Sequence, residues 1–447
     1  MRLPESSPSL SQLLKRLPAK DVQLAAQNLA PLAKGKYLHW DELRYRDPPP
    51  GLSRDGWWAA LLLGRLGLMQ PLPLFDKHGN PFTFATPSPV QIDLHHIDRD
   101  AAGHIRTAVG APIQEDPARY LLNSLIEEAI TSSQLEGAAT TRQVAAAMLR
   151  EGRKPRDISE TMIFNNYRAM EHLRSLKHEP VTPELILELH RILTENTLED
   201  PADAGRLRRS DDVHVIDQRD NTVVHVPPLH TELPERLERL CAFANADETS
   251  LPFVHPVLRA ILLHFMIGYD HPFVDGNGRT ARALFYWSMA RSGYWLMEYT
   301  SISGILRRSP VSYMRAYLKT ETDQNDTTHF LLHQLLTIRR AIIVLHEYLA
   351  RKSAEQRETE KLLAASPELR TRFNHRQIAL LTHALRNLGE GYRVDAHQRS
   401  HNVVYQTARN DLLALHSLGL LEKARQGNAY VFFAPEDLRD RLSALAT

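Results

Sequence analysis

Apolar residues recur at three- and four-residue spacing over most of residues 115–350, a period that predicts a mainly helical segment. Asp116 and Pro117 suit an N-cap and a first helical position. Leu121, Leu122, Leu125, Ile126, Ala129 and Ile130 then line one apolar face, and Gly137 is placed to end that helix. Further helices are predicted over 159–175 and 182–194. Between Arg206 and Pro228 the period changes to two. Val213–Ile216 and Thr222–Val226 flank the turn-rich Asp217-Gln-Arg-Asp-Asn221, a β-hairpin stopped by Pro227-Pro228. Helices resume at Leu233, Pro256 and Arg279, and again from about Thr328 to Leu349. Val257 to Tyr269 is almost continuously apolar, as expected of a buried helix.

The two ends of the chain have a different character. Residues 1–114 are Pro-rich and mixed, with a helix expected at Asp55–Gly67 and a hairpin over 71–84 turning at His78-Gly79-Asn80. They read as an N-terminal subdomain for packing or interaction. Residues 351–366 are charged and read as a linker that extends the preceding helix. Beyond them, helices at 376–385 and 403–417 lead into a ribbon over Gly419–Phe433 turning at Gly427-Asn428. Helices followed by such a ribbon resemble a winged helix over 367–447. With 447 residues, two or three domains are expected.

Composition narrows the function classes. Lys plus Arg number 54 and Asp plus Glu 53, so the chain as a whole makes no case for nucleic-acid binding. The single cysteine, Cys241, excludes an internal disulfide and sits in an amphipathic run, where a buried structural thiol is expected. The first residues carry no apolar signal core, and apolar runs are broken too soon to span a bilayer. A soluble, cytoplasmic protein without a membrane partner is expected.

Chemistry concentrates in His271-Pro-Phe-Val-Asp-Gly-Asn-Gly-Arg-Thr-Ala-Arg282, between two core helices. Gly276-Asn277-Gly278 at a helix start can present backbone N–H groups to phosphate oxygens, helped by the helix dipole. Arg279 and Arg282 lie three apart, and guanidinium suits phosphate because its donors are planar and paired. Asp275 can hold Mg²⁺ against the same phosphates, and His271 can take a proton from an attacking hydroxyl. This segment resembles the Fic family signature, His-x-Phe-x-Asp/Glu-Gly-Asn-Gly-Arg-x-x-Arg, at every fixed position. The resemblance implies a Fic-type helical core and transfer of AMP from ATP to a Ser, Thr or Tyr hydroxyl of a target protein, which could be this chain itself. It implies His271 as general base and Asp275 as Mg²⁺ ligand. Gly276, Asn277, Gly278, Arg279, Thr280, Ala281 and Arg282 become the ATP-phosphate run, with Phe273 anchoring the loop. Gly278 stands where the related Doc kinases carry lysine, which favours nucleotidyl transfer.

Three further segments fit the resemblance. Ser132-Ser-Gln-Leu-Glu136-Gly137 resembles the family's inhibitory motif, Ser/Thr-x-x-x-Glu-Gly/Asn. It implies that Glu136 competes with the γ-phosphate for Arg282. The hairpin over 213–226 corresponds to the flap that lies over the active site, with an edge to receive an extended target segment. Tyr313, in Arg308–Tyr317, is either an aromatic for stacking on adenine or a core residue. Arg399, Gln406, Arg409, Asn410, Lys423 and Arg425 offer thin positive charge for DNA. Packing or homodimer formation is therefore expected of the tail ahead of DNA binding. His95-His96 and His225/His230 lack a converging third ligand and read as surface or turn residues, not zinc ligands. Alternative readings are a nucleotide-sensing DNA-binding regulator, and the same fold transferring another group or removing AMP.

Overall fold

The structure is a computed structural model that describes residues 3–102, 117–217, 219–364, 372–385, 391–426 and 429–445. The chain is mainly helical, as the apolar periodicity predicts. In order it forms α1 (Leu10–Arg16), α2 (Ala19–Gln27), α3 (Trp40–Leu43), α4 (Arg54–Leu66), the hairpin β1 (Gln70–Phe75) and β2 (Pro81–Phe84), and α5 (Ser88–Ile97). There follow α6 (Pro117–Leu135), α7 (Arg142–Glu151), α8 (Ile158–Ser175), α9 (Pro183–Thr194), and the hairpin β3 (Val215–Asp217) and β4 (Thr222–His225). The central helices are α10 (Leu233–Asn245), α11 (Pro256–Asp270), α12 (Asn277–Arg291), α13 (Ile302–Leu306) and α14 (Pro310–Thr322). Helix α15 (Thr328–Ala364) continues through most of the charged segment, as the reading of 351–366 as a helical extension expects. The last elements are α16 (His375–Ala384), β5 (Gly391–Arg393), α17 (Val394–His401), α18 (Tyr405–Ser417), β6 (Glu422–Gln426), β7 (Ala429–Phe433) and α19 (Leu438–Ala444).

Two compact units result. One comprises Met1–His104, Glu128–Thr140 and Arg156–Ile342; the other comprises Ile105–Glu127, Thr141–Pro155 and Ile343–Thr447. The first unit is built around α11, whose side chains from Val257 to Ile267 are all buried. The N-terminal hairpin is part of this core. Phe82 meets the rings of Phe265 and Tyr269 edge-on at 5.3 and 5.0 Å, and Phe265 stacks on Tyr317 at 5.2 Å. Each such fully buried aromatic stabilises the fold by about 1.5–3 kcal/mol.

Local signals set the helix ends that matter. Thr182 caps α9 through Leu185 N, with Pro183 at the first position. Gly137, at φ +98°, ends the α6 segment in the left-handed conformation that glycine tolerates. The predicted cap Asp116 lies outside the described residues, as does the turn Gly427-Asn428.

In the second unit the sheet order is β5-β7-β6, antiparallel throughout. Phe373, Leu380, Leu381, Leu412, Leu415 and Phe432 form its core. Asp411, next to Asn410 on α18, is turned inward. Its carboxylate accepts from Arg376 Nε and Nη2 at 2.6 and 3.1 Å and from Asn374 Nδ2 at 2.8 Å.

Candidate active site

The loop between α11 and α12 opens with a backbone irregularity. His271 closes α11 in the left-handed region at φ +46°. Its Nδ1 lies 3.2 Å from the Gly268 carbonyl, which can only accept. The proton of the neutral ring is therefore on Nδ1, and Nε2 keeps its lone pair. Burial pushes the imidazole down to about 4, against the support of the Gly268 carbonyl, so the ring is neutral near pH 7. Arg208 fixes the same residue from outside the motif. It is 3% exposed, and its Nε donates to the His271 carbonyl at 3.1 Å while Nη2 donates to Pro228 at the exit of the β3–β4 hairpin.

The rest of the loop is held from within. Asn277 is buried, and its side chain clamps both backbone groups of Phe273: Oδ1 accepts from Phe273 N at 3.0 Å and Nδ2 donates to Phe273 O at 2.8 Å. Phe273 stacks on His190 at 3.7 Å. His190 in turn donates from Nε2 to the Asp275 carbonyl at 2.9 Å and accepts from Gly205 N at Nδ1 at 3.0 Å. Gly276 takes φ +83°, and a Cβ there would come within 2.7 Å of Thr194. The turn delivers the chain into α12 with the first-turn amides of 277–279 lacking acceptors inside the helix. An anion-binding nest is the chemical meaning of that geometry.

The motif's two arginines have different surroundings. Arg279 has a fully covered side chain; its Nη1 donates to Leu193 O at 3.0 Å and its Nη2 to Asp275 Oδ2 at 3.1 Å. It braces the loop and orients Asp275, a structural use beside the phosphate-binding role expected of it from the sequence. Thr280 and Ala281 are likewise buried inside α12. Asp275 itself is open, with 57% of its side chain exposed. An exposed carboxylate beside free amides is the hard oxygen donor that Mg²⁺ takes while keeping most of its waters, so the residues fit that ion.

Arg282 faces α6. It is 1% exposed, and its Nε donates to Ser132 Oγ at 2.9 Å, its Nη2 to Ser132 O at 3.1 Å and to Glu136 Oε1 at 2.8 Å. The Glu136 carboxylate also fills the space over Gly278, where a Cβ would collide with it. The motif's last guanidinium is thus occupied by the residue that the sequence singled out as its rival partner.

The hairpin lies where its sequence period predicts, with Ile216 and Val223 paired and both exposed. His225 departs from its surface reading. It is 7% exposed and bridges the hairpin to the end of α11, with Nε2 2.7 Å from Tyr269 O and Nδ1 2.8 Å from Glu321. Tyr313 is half-buried; its hydroxyl meets His264 Nε2 at 2.6 Å, and its ring stacks near His333 at 6.2 Å. Cys241 is buried and its thiol is pushed up to about 12 by burial, in keeping with a structural role. A cavity of about 610 Å³ beside α14, lined by Arg308, Arg315, Lys319 and His333 among others, includes no residue of the 271–282 loop.

A second cluster of acids and histidine lies apart from the loop. Asp323, Asp326 and His329 are all buried, with ligand-type atoms within 4.8 Å of one another. Asp326 accepts from Tyr37 OH at 2.6 Å and Thr328 N at 2.9 Å, and His329 Nε2 donates to Asp323 Oδ2 at 2.9 Å, while Asp323 Oδ1 has no hydrogen-bond partner among the described residues. Arg65 lies 3.8 Å from Asp323 as the buried counter-charge. With a guanidinium in place, the cluster reads as a tie between the N-terminal segment and α14–α15, not as a cation site.

Comparison with known proteins agrees with the loop. Residues 180–289 match the model of the Fic/DOC family. Protein adenylyltransferase fic-1 of Caenorhabditis elegans is 30% identical over 209 residues, 44% of this chain and 37% of that protein. Protein adenylyltransferase Fic of Drosophila ananassae is 37% identical over 114 residues, 26% of this chain and 20% of that protein. The chain therefore spans well under half the length of these curated relatives. A solved Fic family protein from Desulfovibrio desulfuricans G20 superposes over 78% of this chain and 97% of its own at 18% identity, with a TM-score of 0.49. Among the described residues no helix is long and apolar enough to cross a membrane. The segment that carries the nest, the neutral histidine and the occupied arginine, residues 180–289, is a Fic/DOC family domain.

Proposed function

We propose that this chain is a protein adenylyltransferase that transfers AMP from ATP to a hydroxyl of a target protein and is held off by its own Glu136. The observation that carries this is the convergence on one loop of a neutral His271 with a free Nε2, unused amides at 277–279 and an exposed Asp275. The names of the matched relatives, protein adenylyltransferase, support the same chemistry. In this reading the amides of 277–279 hold the triphosphate, and the target hydroxyl is placed by the edge of the β3–β4 hairpin. The hydroxyl oxygen bonds to the α-phosphorus, its proton goes to His271 Nε2, and pyrophosphate leaves. Asp275 would hold Mg²⁺, which supplies charge neutralisation at the phosphates. Arg279 keeps Asp275 aimed at that position. Asn277 and His190 keep the loop closed enough for in-line geometry.

Arg282 can serve the γ-phosphate only when Glu136 lets it go. The two contend for one guanidinium, and the 2.8 Å contact supports the self-inhibited reading. The test is incubation of the wild-type chain, Glu136→Gly and Glu136→Gly/His271→Ala with Mg²⁺ and labelled ATP, read by mass spectrometry. AMP on a protein hydroxyl should rise in Glu136→Gly and vanish in the double variant. An adduct of another mass would replace the donor, and a Glu136→Gly chain no more active than wild type would sink self-inhibition. For the tail, the inward turn of Asp411 leaves Gln406, Arg409 and Asn410 exposed on α18 without an acid beside them. That favours duplex DNA as a second partner, tested by fluorescence anisotropy at two salt concentrations; affinity insensitive to salt would exclude it.

A further inference from the structure

Glu136 can occupy Arg282 only if α6 holds a fixed rotation and height against α12. A second glutamate on the same helix supplies that constraint. Glu128 lies two helical turns before Glu136 and is 2% exposed. Glu128, Ser132 and Glu136 are spaced i, i+4, i+8, which places them along one face. The Glu128 carboxylate is enclosed by donors from other elements. Ser303 Oγ donates to Oε1 at 2.5 Å. Ser301 Oγ, Tyr286 OH and Ser303 N donate to Oε2 at 2.7, 2.9 and 3.2 Å. Thr131, one turn on, adds a 3.0 Å contact to Ser301.

These partners make a rigid socket. Tyr286 is on α12, one turn beyond Arg282, and its hydroxyl also accepts from Ile302 N at 2.8 Å. Ser301 is the N-cap of α13 through Gly304 N, and Ser303 lies in its first turn, where a carboxylate is favoured by the helix dipole. The anchor therefore references α6 to the helix that carries Arg282. A buried carboxylate that loses such charge-assisted donors leaves several polar groups unsatisfied, so the socket is costly to open. Glu136, by contrast, has 29% of its side chain exposed and accepts from Arg282 Nη2 at 2.8 Å. Ser132, between the two glutamates, holds the same guanidinium through its Oγ and carbonyl, so the end of α6 depends on the register that Glu128 sets.

We propose that Glu128 is a positioning residue for inhibition: it locks α6 onto α12 and α13 so that Glu136 is delivered to Arg282. The proposal rests on the self-inhibited adenylyltransferase reading for its effect on activity, but not for its effect on the helix. Two measurements separate them. Amide hydrogen exchange over residues 129–137 should quicken about tenfold in Glu128→Gln, and more mildly in Ser303→Ala, while mid-helix amides of α12 keep wild-type protection. AMP transfer by Glu128→Gln should rise above wild type toward the Glu136→Gly level, and Glu128→Gln/Glu136→Gly should match Glu136→Gly alone. Wild-type exchange over 129–137 in both variants overturns the proposal. So does a double variant more than about tenfold slower than Glu136→Gly, which would make Glu128 a support of the active loop instead. If Glu136→Gly transfers nothing, the adenylyl-transfer reading falls, and the exchange measurement still decides the role of Glu128.

Discussion

The α11–α12 loop and the Asp323–Asp326–His329 cluster are built from the same side-chain types, and they end in opposite states. In the cluster, His329 donates to Asp323 and Tyr37 to Asp326 under full burial, with the Arg65 guanidinium 3.8 Å from Asp323 and Asp323 Oδ1 left without a hydrogen bond among the described residues. In the loop, buried groups such as Asn277, His190 and Arg279 spend their bonds on backbone. That leaves His271 Nε2 and the 277–279 amides unspent, with Asp275 steadied by Arg279 yet exposed to solvent. A structural polar cluster closes on itself, whereas a site uses inward-facing bonds to hold outward-facing groups open.

The contrast can be broken from either side. The largest effect is expected at the loop. In the Glu136→Gly background, His271→Ala should lower AMP transfer by about 10²–10⁴-fold while leaving the unfolding midpoint near that of the parent. A residual rate within tenfold of the parent would remove His271 as the base. At the cluster the expected order is reversed. Arg65→Met should cost about 3–5 kcal/mol in urea unfolding, because Asp323 and Asp326 lose their buried counter-charge. Added Zn²⁺ should not raise the midpoint of the wild-type chain; a rise that disappears in Asp323→Ala would turn the cluster into a metal site. An intermediate case is Asn277→Ala. It leaves both backbone groups of Phe273 unpaired and should cost about 1–3 kcal/mol of stability together with most of the transfer rate. Loss of stability alone would show that the clamp does not position the chemistry.

The sequence exposed the loop well because its constraints are local. Gly276 is needed for φ +83°, Asn277 for a bond four residues back, and Arg279 for Asp275 four residues back. Helices with capped starts, such as Pro183–Thr194 and Pro256–Asp270, were equally legible. The distant supports were not. His190 lies 85 positions before Asp275 and Arg208 lies 63 before His271, and neither sits in a pattern that marks it out. Arg65 and Tyr37 reach partners more than 250 positions away. The bracing role of Arg279 was hidden for a related reason. Helical spacing puts it near Arg282, but only tertiary packing shows Leu193 receiving it. Strand β5, three residues long, is too short to build a periodic signal.

The smallest effect on transfer is expected from pH, and its sign again separates open from closed groups. Burial pushes His271 and His190 down to about 4, and His39, His264 and His329 down to about 3. Each is neutral in the fold at pH 7, while in the unfolded chain it gains a proton near its ordinary value of about 6.5. Between those values the unfolded state binds more protons, so stability is full above about pH 6.5 and declines as pH falls toward 4. Transfer should behave differently over the same window. The His271 lone pair persists until its own low value is approached, so the rate of Glu136→Gly should change by less than about threefold between pH 8 and 5.5 at a temperature where the fold persists. A tenfold fall by pH 6.5, with the unfolding midpoint unchanged, would mean that the catalytic ring titrates as an open histidine and that its burial does not survive in the working enzyme.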